Sequence, residues 1–353
     1  MADAAPHAPS GAGDSLPVSA AFARDGCAIV REFATAAECD GMRARMAQLI
    51  ERWDPSAAPA AAFRTDEKQT ETQGKSDYFL DSGDKIHFFL EPHAVDEATS
   101  ALKAGLDKHE SLNKVGHGLH LADDVFRAYS ASPKVAALAR SLGWEAPVLP
   151  QSMYIFKQKD NGAEVTAHQD STFLFTEPRQ TCLGLWLALE DATVQNGCVW
   201  GRPGSHKEPI RRQFHRNAAH FEEKEADAPQ MLFRELADCA GAEDTRHPFK
   251  FGCVPWEGAM PEGMSKFSGD DASAEGVAAA GFVPLECKKG DLVLIHGAVD
   301  HLSLSNKSGK SRHTFQLHMI EGPDTAGGIV WSKENWLQLP NADGSRRPFM
   351  TLS

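Results

Sequence analysis

The sequence predicts a mainly β protein with flanking helices, built around a jelly-roll core of the double-stranded β-helix type. Three observations support this prediction. The clear helical patterns lie before residue 145, and strand-like segments dominate from residue 147 onward. The apolar run at 183–189 is typical of a central strand that is buried on both faces. Helices followed by many short strands favour a barrel with helices packed on its outside.

The composition is that of an ordinary globular protein with an acidic charge balance. The 353 residues suit one large domain and give enough chain for a substantial core. Lys+Arg 36 against Asp+Glu 49 give a formal net charge of −13, which argues against nucleic-acid binding because that function needs a basic face. No apolar run approaches the roughly 20 residues that span a bilayer, so we expect no membrane partner.

The cysteines and the two ends of the chain indicate the cellular compartment in which the protein is expected. Seven cysteines are widely spaced and form no C-x-x-C pair, which favours free thiols in a reducing compartment. The first residues lack the basic start and apolar core of a secretory signal, and the last four, MTLS, are not the peroxisomal Ser-Lys-Leu address. We therefore expect a cytoplasmic protein, with a monomer as the default oligomeric state.

The first half of the chain contains a short strand and two helices with clear signals. Residues 26–30 (GCAIV) are predicted to be a buried strand. Residues 35–38 (TAAE) fit a capping box, and apolar side chains at helical spacing continue from there to Trp53. A second helix is predicted from Ser132-Pro133, which supply an N-cap and a first-turn proline, to a stop at Gly143.

Turns and strands alternate in the second half. Asn196-Gly197 is a hairpin signal, and residues 291–296 and 314–319 are predicted strands. Residues 207–281 are irregular and are predicted to form an insertion or lid over the strands. Its basic patch at 207–216 is interpreted as a solvated face.

The ends of the domain follow from composition. Residues 1–17 are rich in Ala, Pro, Gly and Ser and are predicted to be a disordered tail. Residues 18–353 are then expected to form a single domain. No internal repeat divides it.

A candidate metal motif follows a predicted strand directly. His168 and Asp170 are two residues apart, and alternate residues of a strand point to the same face. They can therefore offer a nitrogen and an oxygen to one metal. With one more histidine they would complete the 2-His-1-carboxylate arrangement of non-haem Fe(II) sites. By itself such a pair is more often just hydrogen-bonded.

Two histidines after the predicted strand at 291–296 could supply the third ligand. His296 ends that strand and His301 follows it, and periodicity alone leaves both open. The turn at 307–310 predicts a hairpin that folds Arg312 back alongside His301. A guanidinium there would suit the C5 carboxylate of 2-oxoglutarate, because arginine forms a charged, bidentate clamp that lysine cannot reproduce.

Several long blocks in order identify a family resemblance. They are 76–79 (SDYF), 82–85 (SGDK), 113–117 (NKVGH), 151–158 (QSMYIFKQ), 168–170 (HQD), Trp186 with 190–192 (EDA), 196–198 (NGC), 203–206 (PGSH) and the segment 301–312. On these blocks, from about residue 22 to about 340, the chain resembles the phytanoyl-CoA dioxygenase family of Fe(II)/2-oxoglutarate oxygenases.

The resemblance implies a set of site residues. It implies metal ligation by His168, Asp170 and His301, and so favours His301 over His296. It also implies contacts to 2-oxoglutarate from Lys114, Met153, Trp186, Ser303 and Arg312, with Arg312 holding the C5 carboxylate. Without the resemblance, Lys114 would be interpreted as a solvated lysine, and Met153 and Trp186 as core residues.

The resemblance also implies a reaction. Fe(II), with O2 and 2-oxoglutarate as co-substrates and ascorbate as an optional reductant, would couple decarboxylation of 2-oxoglutarate to succinate and CO2 with hydroxylation of a C–H bond in a small organic substrate. Related halogenases carry a small residue at the carboxylate position, so Asp170 favours hydroxylation. The chain departs from the family at 200–202 and in the length of 207–281, which leaves the substrate open.

Three other interpretations compete with this one. The first is a jelly-roll sensor that binds metal and 2-oxoglutarate without turnover. The second is a cupin-like enzyme with another metal and no 2-oxoglutarate, which would have no need of Arg312. The third narrows the enzyme to an acyl-CoA 2-hydroxylase.

Overall fold

The computed structural model describes residues 16–57, 60–65, 72–96, 98–160, 162–236, 273–341, 343 and 345–352. In these residues, an eight-stranded and a four-stranded antiparallel sheet form the jelly roll, which confirms the predicted fold. The strands are, in chain order, β1 (Cys27–Val30), β2 (Ile86–Leu90), β3 (Val95–Asp96), β4 (Ala101–Leu102), β5 (Leu112–His117), β6 (Pro147–Ile155), β7 (Val165–His168), β8 (Thr176–Glu177), β9 (Leu183–Ala188), β10 (Val199–Gly201), β11 (Arg212–Arg216), β12 (Met231–Glu235), β13 (Val283–Leu285), β14 (Leu292–His296), β15 (His301–Ser303), β16 (Thr314–Glu321), β17 (Val330–Trp331) and β18 (Met350–Thr351).

Helices cover the outer face of the larger sheet. Helix α2 begins with the expected capping box, in which Thr35 and Glu38 satisfy each other's backbone N–H groups. Helix α6 begins at Pro133 as expected, whereas α1 was not predicted. The helices are α1 (Val18–Asp25), α2 (Ala36–Arg52), α3 (Asp77–Leu80), α4 (Leu119–Ala122), α5 (Asp124–Ser130), α6 (Pro133–Ser141), α7 (Ala218–Phe221) and α8 (Ala274–Ala279).

The larger sheet has the strand order β1-β14-β9-β16-β6-β5-β2, with β18 also paired to β6. The central strand β9 is buried along its whole length. Leu185 and Leu187 belong to the apolar cluster shared with the helices, whereas Trp186 and Ala188 belong to the cluster between the sheets. Burial on both faces explains why this strand is apolar throughout.

The smaller sheet has the order β13-β10-β15-β7 and carries both candidate histidine ligands. Strand β15 pairs antiparallel with β7, and His301 lies directly opposite His168. Directly opposed residues of an antiparallel pair point to the same face of the sheet. The fold therefore places side by side two imidazoles that are 133 residues apart in the sequence.

The predictions of hairpins at the turns 196–197 and 307–310 are wrong. Strand β15 belongs to the smaller sheet and β16 to the larger one, so the segment between them crosses from sheet to sheet. The same is true of β9 and β10, which flank Asn196-Gly197. Turn residues reveal where the chain reverses, but in a jelly roll the returning strand often joins the opposite sheet.

The region predicted to be irregular contains a regular hairpin. Strands β11 and β12 pair over five residues each, and the short helix α7 (Ala218–Phe221) lies between them. Residues 237–272, the centre of the predicted lid, lie outside the described residues, as do residues 1–15 of the predicted tail.

Free cysteines and the lack of a membrane span were also expected, and both expectations can be compared with the described residues. The five cysteines there (27, 39, 182, 198 and 287) are free thiols and are buried, while Cys239 and Cys253 lie outside this part of the chain. Across the same ranges, none of the helices combines the length and apolarity that crossing a bilayer would require.

Candidate active site

Three side chains converge at one end of the β7–β15 pair. His168 ends β7, Asp170 opens the short turn that follows it, and His301 begins β15. One ligand atom from each lies within 4.8 Å of the others. Asp170 Oδ1 is 3.5 Å from His168 Nε2 and 3.6 Å from His301 Nε2. This arrangement fits the facial 2-His-1-carboxylate site that non-haem Fe(II) uses.

The backbone fixes which ring nitrogens face the centre. His168 Nδ1 lies 2.8 Å from the carbonyl oxygen of Thr166, and His301 Nδ1 lies 3.1 Å from that of Val299. A carbonyl oxygen only accepts hydrogen bonds, so both Nδ1 atoms carry the proton. Both Nε2 atoms then present a lone pair toward Asp170. This is the tautomer that a metal ligand needs, held before any metal binds.

Electrostatics favour the charge states of a metal site. Burial lowers the pKa of His301 to about 4, so its ring is neutral near pH 7. Burial opposes ionisation of Asp170, but the adjacent His301 and His318 outweigh it and hold the pKa of the Asp170 carboxyl well below its usual range. The centre therefore offers neutral imidazole and an ionised carboxylate.

His318 on β16 orients the carboxylate from the opposite side. Its Nε2 lies 3.2 Å from Asp170 Oδ2, and its Nδ1 lies 3.1 Å from Nε2 of Gln151. The Gln151 amide nitrogen can only donate, so Nδ1 accepts and Nε2 donates to Asp170. One carboxylate oxygen is thus occupied by His318, and the other is left facing the two imidazoles.

Arg312 lies just before β16 and is fully enclosed. Its guanidinium donates to the carbonyl oxygen of Gly197 (3.1 Å), to Ser303 Oγ (3.3 Å) and to Thr314 Oγ1 (3.4 Å). It also stacks over the Trp186 ring, with Cζ 5.0 Å from the centroid. Burial lowers the pKa of Arg312 to about 10, which leaves it charged at neutral pH.

The charge of Arg312 has no counter-ion among the described residues. Among the residues that the structure describes, its partners are all neutral oxygens and a ring, and no carboxylate forms an ion pair with it. A buried charge without a counter-ion is costly unless a ligand supplies one. This cation therefore fits a carboxylate ligand, such as the one that 2-oxoglutarate carries at C5.

Gly197 holds the arginine through its backbone. Its carbonyl oxygen accepts from both Arg312 Nε (3.1 Å) and Ser303 Oγ (3.0 Å). Its φ is +81°, and a Cβ there would come within 2.5 Å of the Lys157 side chain and 2.7 Å of the Leu304 carbonyl oxygen. The Asn-Gly turn therefore places a carbonyl rather than closing a hairpin.

Lys114, on β5, is a second buried basic side chain of this cavity. Its Nζ lies 3.7 Å from Met153 Sδ and 3.3 Å from the centroid of the Phe63 ring, and burial holds the pKa of Lys114 well below its usual range. No oxygen of the described residues accepts a hydrogen bond from it. The interpretation as a solvated lysine is wrong. A nearby anion would favour its charged form.

All eight residues expected from the sequence line one cavity between the sheets. Aromatic and apolar side chains form much of the remaining wall. His296 lies elsewhere, with its Nδ1 accepting from the Ala298 N–H and its ring 5.3 Å from that of His206. The eight are Lys114, Met153, His168, Asp170, Trp186, His301, Ser303 and Arg312.

Other residues of this cavity were not predicted from the sequence, among them Gln151, His318 and Arg212. A signal existed for His318, because Thr314, Gln316 and His318 alternate with apolar residues along β16 and so share one face with each other. Arg212 was assigned to a solvated basic patch, yet it lines the cavity and is half-buried. That interpretation is wrong for Arg212.

Comparison with known proteins agrees with this geometry. The family model described as Phytanoyl-CoA dioxygenase (PhyH) matches residues 22–314. Phytanoyl-CoA dioxygenase domain-containing protein 1 of Mus musculus is 41% identical over 318 residues, covering 90% of this chain and 92% of the relative. Phytanoyl-CoA dioxygenase 1 of Oryza sativa subsp. japonica is 38% identical over 319 residues, covering 90% and 91%.

A solved structure shares the fold. It is the epimerase SnoN in complex with Fe3+, alpha ketoglutarate and nogalamycin RO, with a TM-score of 0.51, 17% sequence identity, and coverage of 95% of this chain and 97% of that chain. At this identity the likeness supports the jelly-roll architecture alone.

Proposed function

The chain belongs to the phytanoyl-CoA dioxygenase (PhyH) family, and from this premise we propose that it is an Fe(II)- and 2-oxoglutarate-dependent dioxygenase that hydroxylates a C–H bond of a small organic substrate. One observation carries the proposal. A His-Asp-His cluster with both imidazole lone pairs facing inward shares a cavity with a buried guanidinium that has no counter-ion among the described residues.

Each site residue has a role in this proposal. His168, Asp170 and His301 would hold Fe(II). Arg312, with Ser303 beside it, would bind the C5 carboxylate of 2-oxoglutarate. The remaining contacts to 2-oxoglutarate would come from Lys114, Met153 and Trp186.

When bound, the iron and 2-oxoglutarate would supply the activation of O2. The balanced reaction takes R–H, O2 and 2-oxoglutarate to R–OH, succinate and CO2. The chain's own contribution is to orient both imidazoles with Nε2 toward the centre, to fix the carboxylate through His318, and to surround the reacting atoms with apolar walls that exclude water.

Succinate formation tests the proposal directly. Purified protein with Fe(II), ascorbate and 2-oxoglutarate is expected to form succinate slowly alone and faster with a substrate, and a chelator should stop it. Free carboxylic acids and acyl-CoA thioesters belong in the substrate panel, since a 2-hydroxyacyl-CoA product would identify an acyl-CoA 2-hydroxylase. Binding of 2-oxoglutarate without succinate under any condition would instead indicate a sensor.

Replacing His318 by leucine is expected to weaken Fe(II) binding by about 10- to 100-fold, the usual effect of losing a partner that orients a metal ligand. Without its hydrogen bond, the Asp170 carboxylate can rotate away from the imidazoles. The measurement is an anaerobic Fe(II) titration, with thermal unfolding as a check on folding. His318→Gln retains a donor and should recover much of the affinity; equal Fe(II) affinity in wild type and His318→Leu would contradict the role.

A further inference from the structure

Arg212 lies on β11, which packs against the turn Asp170–Thr172. The Cζ of its guanidinium lies 4.1 Å from the centroid of the Phe233 ring. Phe233 is 6.2 Å from Phe173, and Phe173 is 6.2 Å from the ring of His168. Two aromatic rings therefore connect Arg212 to the candidate metal centre, and Arg212 lines the same cavity.

The other arginines of this hairpin all have oxygen partners. Arg211 donates to Asp300 (2.8 Å), Arg216 donates to the carbonyl oxygen of Trp336 (3.0 Å), and Arg234 pairs with Glu334 (2.7 Å). Arg212 differs. In the described ranges its guanidinium makes the ring contact with Phe233 but no hydrogen bond or ion pair, even though Glu235 is its cross-strand neighbour.

The lack of an oxygen partner for Arg212 among the described residues is informative because this arginine is half-buried. Burial lowers the pKa of Arg212, as expected for a cation that has lost part of its hydration. Stacking on a ring recovers some of that loss and holds the planar guanidinium in place. Its hydrogen-bond donors nevertheless stay available to a molecule in the cavity.

Arg212 and Arg312 approach the centre from opposite directions along the strands. Ser303, which contacts Arg312, pairs with Val165, on one side of the His168–His301 pair. The turn that contacts β11 follows His168 on the other side. A molecule bound at Arg312 therefore leaves Arg212 free for a second one.

We propose that Arg212 binds a carboxylate or phosphate group of the primary substrate, which is therefore a mainly apolar small molecule carrying one such oxyanion. Arginine recognises both groups through paired, charge-assisted hydrogen bonds. The apolar part of the molecule would lie against the aromatic side of the cavity, where Phe79, Phe173 and Trp336 are exposed to it. The inference rests on the proposed function only in naming this molecule as the one that is oxidised.

The test is a binding measurement that needs no turnover. Titration calorimetry under nitrogen, on protein loaded with Fe(II) and saturating 2-oxoglutarate, would compare 4-phenylbutyrate, 3-phenylpropyl phosphate and 4-phenylbutanol. The 2-oxoglutarate occupies Arg312 and prevents the probes from binding there. We expect one or both anionic probes to bind, at least about tenfold more tightly than the alcohol, and the preferred anion to distinguish carboxylate from phosphate.

Variants assign the preference to Arg212. Arg212→Gln is expected to weaken binding of the preferred anionic probe at least about tenfold and to change the affinity for the alcohol less than about twofold. Arg212→Lys should retain part of the difference in affinity between the anionic probe and the alcohol. Arg234→Gln, on the same hairpin but outside the cavity lining, is the matched control and should behave as wild type.

Three results would overturn the inference: no binding of either anionic probe to wild type, equal binding of the alcohol, or an Arg212→Gln variant that retains the preference. Failure of the proposed function looks different, because wild type would then not bind 2-oxoglutarate in a separate titration. The comparison between wild-type and Arg212→Gln protein needs only the probes and stays interpretable in that case.

Discussion

Asp170→Ala is expected to abolish stable Fe(II) binding and to reduce 2-oxoglutarate-dependent succinate formation by more than about 100-fold, since even residues that only orient a metal ligand contribute 10- to 100-fold. Asp170 is the one carboxylate of the cluster, and its Oδ1 lies within 3.6 Å of both imidazole Nε2 atoms. Alanine leaves two imidazoles and no negative charge to balance a divalent cation. The measurements are bound iron per protein after desalting and succinate by chromatography.

A matched control separates the metal site from a general loss of carboxylate. Asp191 is half-exposed and pairs with Lys288 at the surface, so Asp191→Ala should retain iron and activity. Thermal unfolding of both variants checks that they fold. Equal rates of succinate formation by wild type and Asp170→Ala would show that Asp170 has no catalytic role and would contradict the assigned metal centre.

The two-residue periodicity of a strand was sufficient to predict part of this metal centre. His168 and Asp170 are two residues apart, so any strand ending there brings them to one side. The pairing of His168 with His301 was not available from periodicity, because it depends on the register of two strands 133 residues apart in a sheet whose order the sequence does not state. The choice between His296 and His301 came from family resemblance. In the structure His301, and not His296, lies beside His168 and Asp170.

The environment of Arg312 differs from the one that local turn signals predicted. A hairpin was expected to place it beside His301, but the chain crosses between sheets and Arg312 instead contacts Ser303 and the carbonyl oxygen of Gly197. The predicted hairpin was wrong, and the contact of Arg312 with β15 is to Ser303, two residues after His301. Turn propensity describes four residues at a time, whereas the sheet to which a strand returns is decided by packing of the whole barrel.

Burial accounts for the residues that were misjudged. Lys114 and Arg212 are basic residues of a type that usually lies at the surface, and both line the cavity. A charged residue enters an interior only where something compensates for it, and here the described side chains offer rings and a thioether rather than carboxylates. We propose that bound molecules supply this compensation, and a sequence does not show them.

Arg312→Ala is expected to raise the 2-oxoglutarate concentration needed for half-maximal succinate formation by roughly 30-fold to several thousand-fold. The range corresponds to the 2–5 kcal/mol typical of removing one partner of a buried, hydrogen-bonded charge pair. The variant also leaves Ser303 and the Gly197 carbonyl oxygen without their guanidinium partner. Direct titration with 2-oxoglutarate under nitrogen, in parallel with the succinate assay, measures the affinity without turnover.

Two further variants make the Arg312 result specific. Arg312→Lys retains a charge but not the planar pair of donors, so its affinity for 2-oxoglutarate should fall between those of wild type and Arg312→Ala. Arg127, an exposed arginine on α5 paired with Asp124, is the control whose replacement should leave the affinity unchanged. An Arg312→Ala protein that folds and binds 2-oxoglutarate as tightly as wild type would show that the co-substrate uses another cation. Lys114 would then be the one to test, because it is the other buried basic side chain of this wall whose described neighbours include no oxygen acceptor.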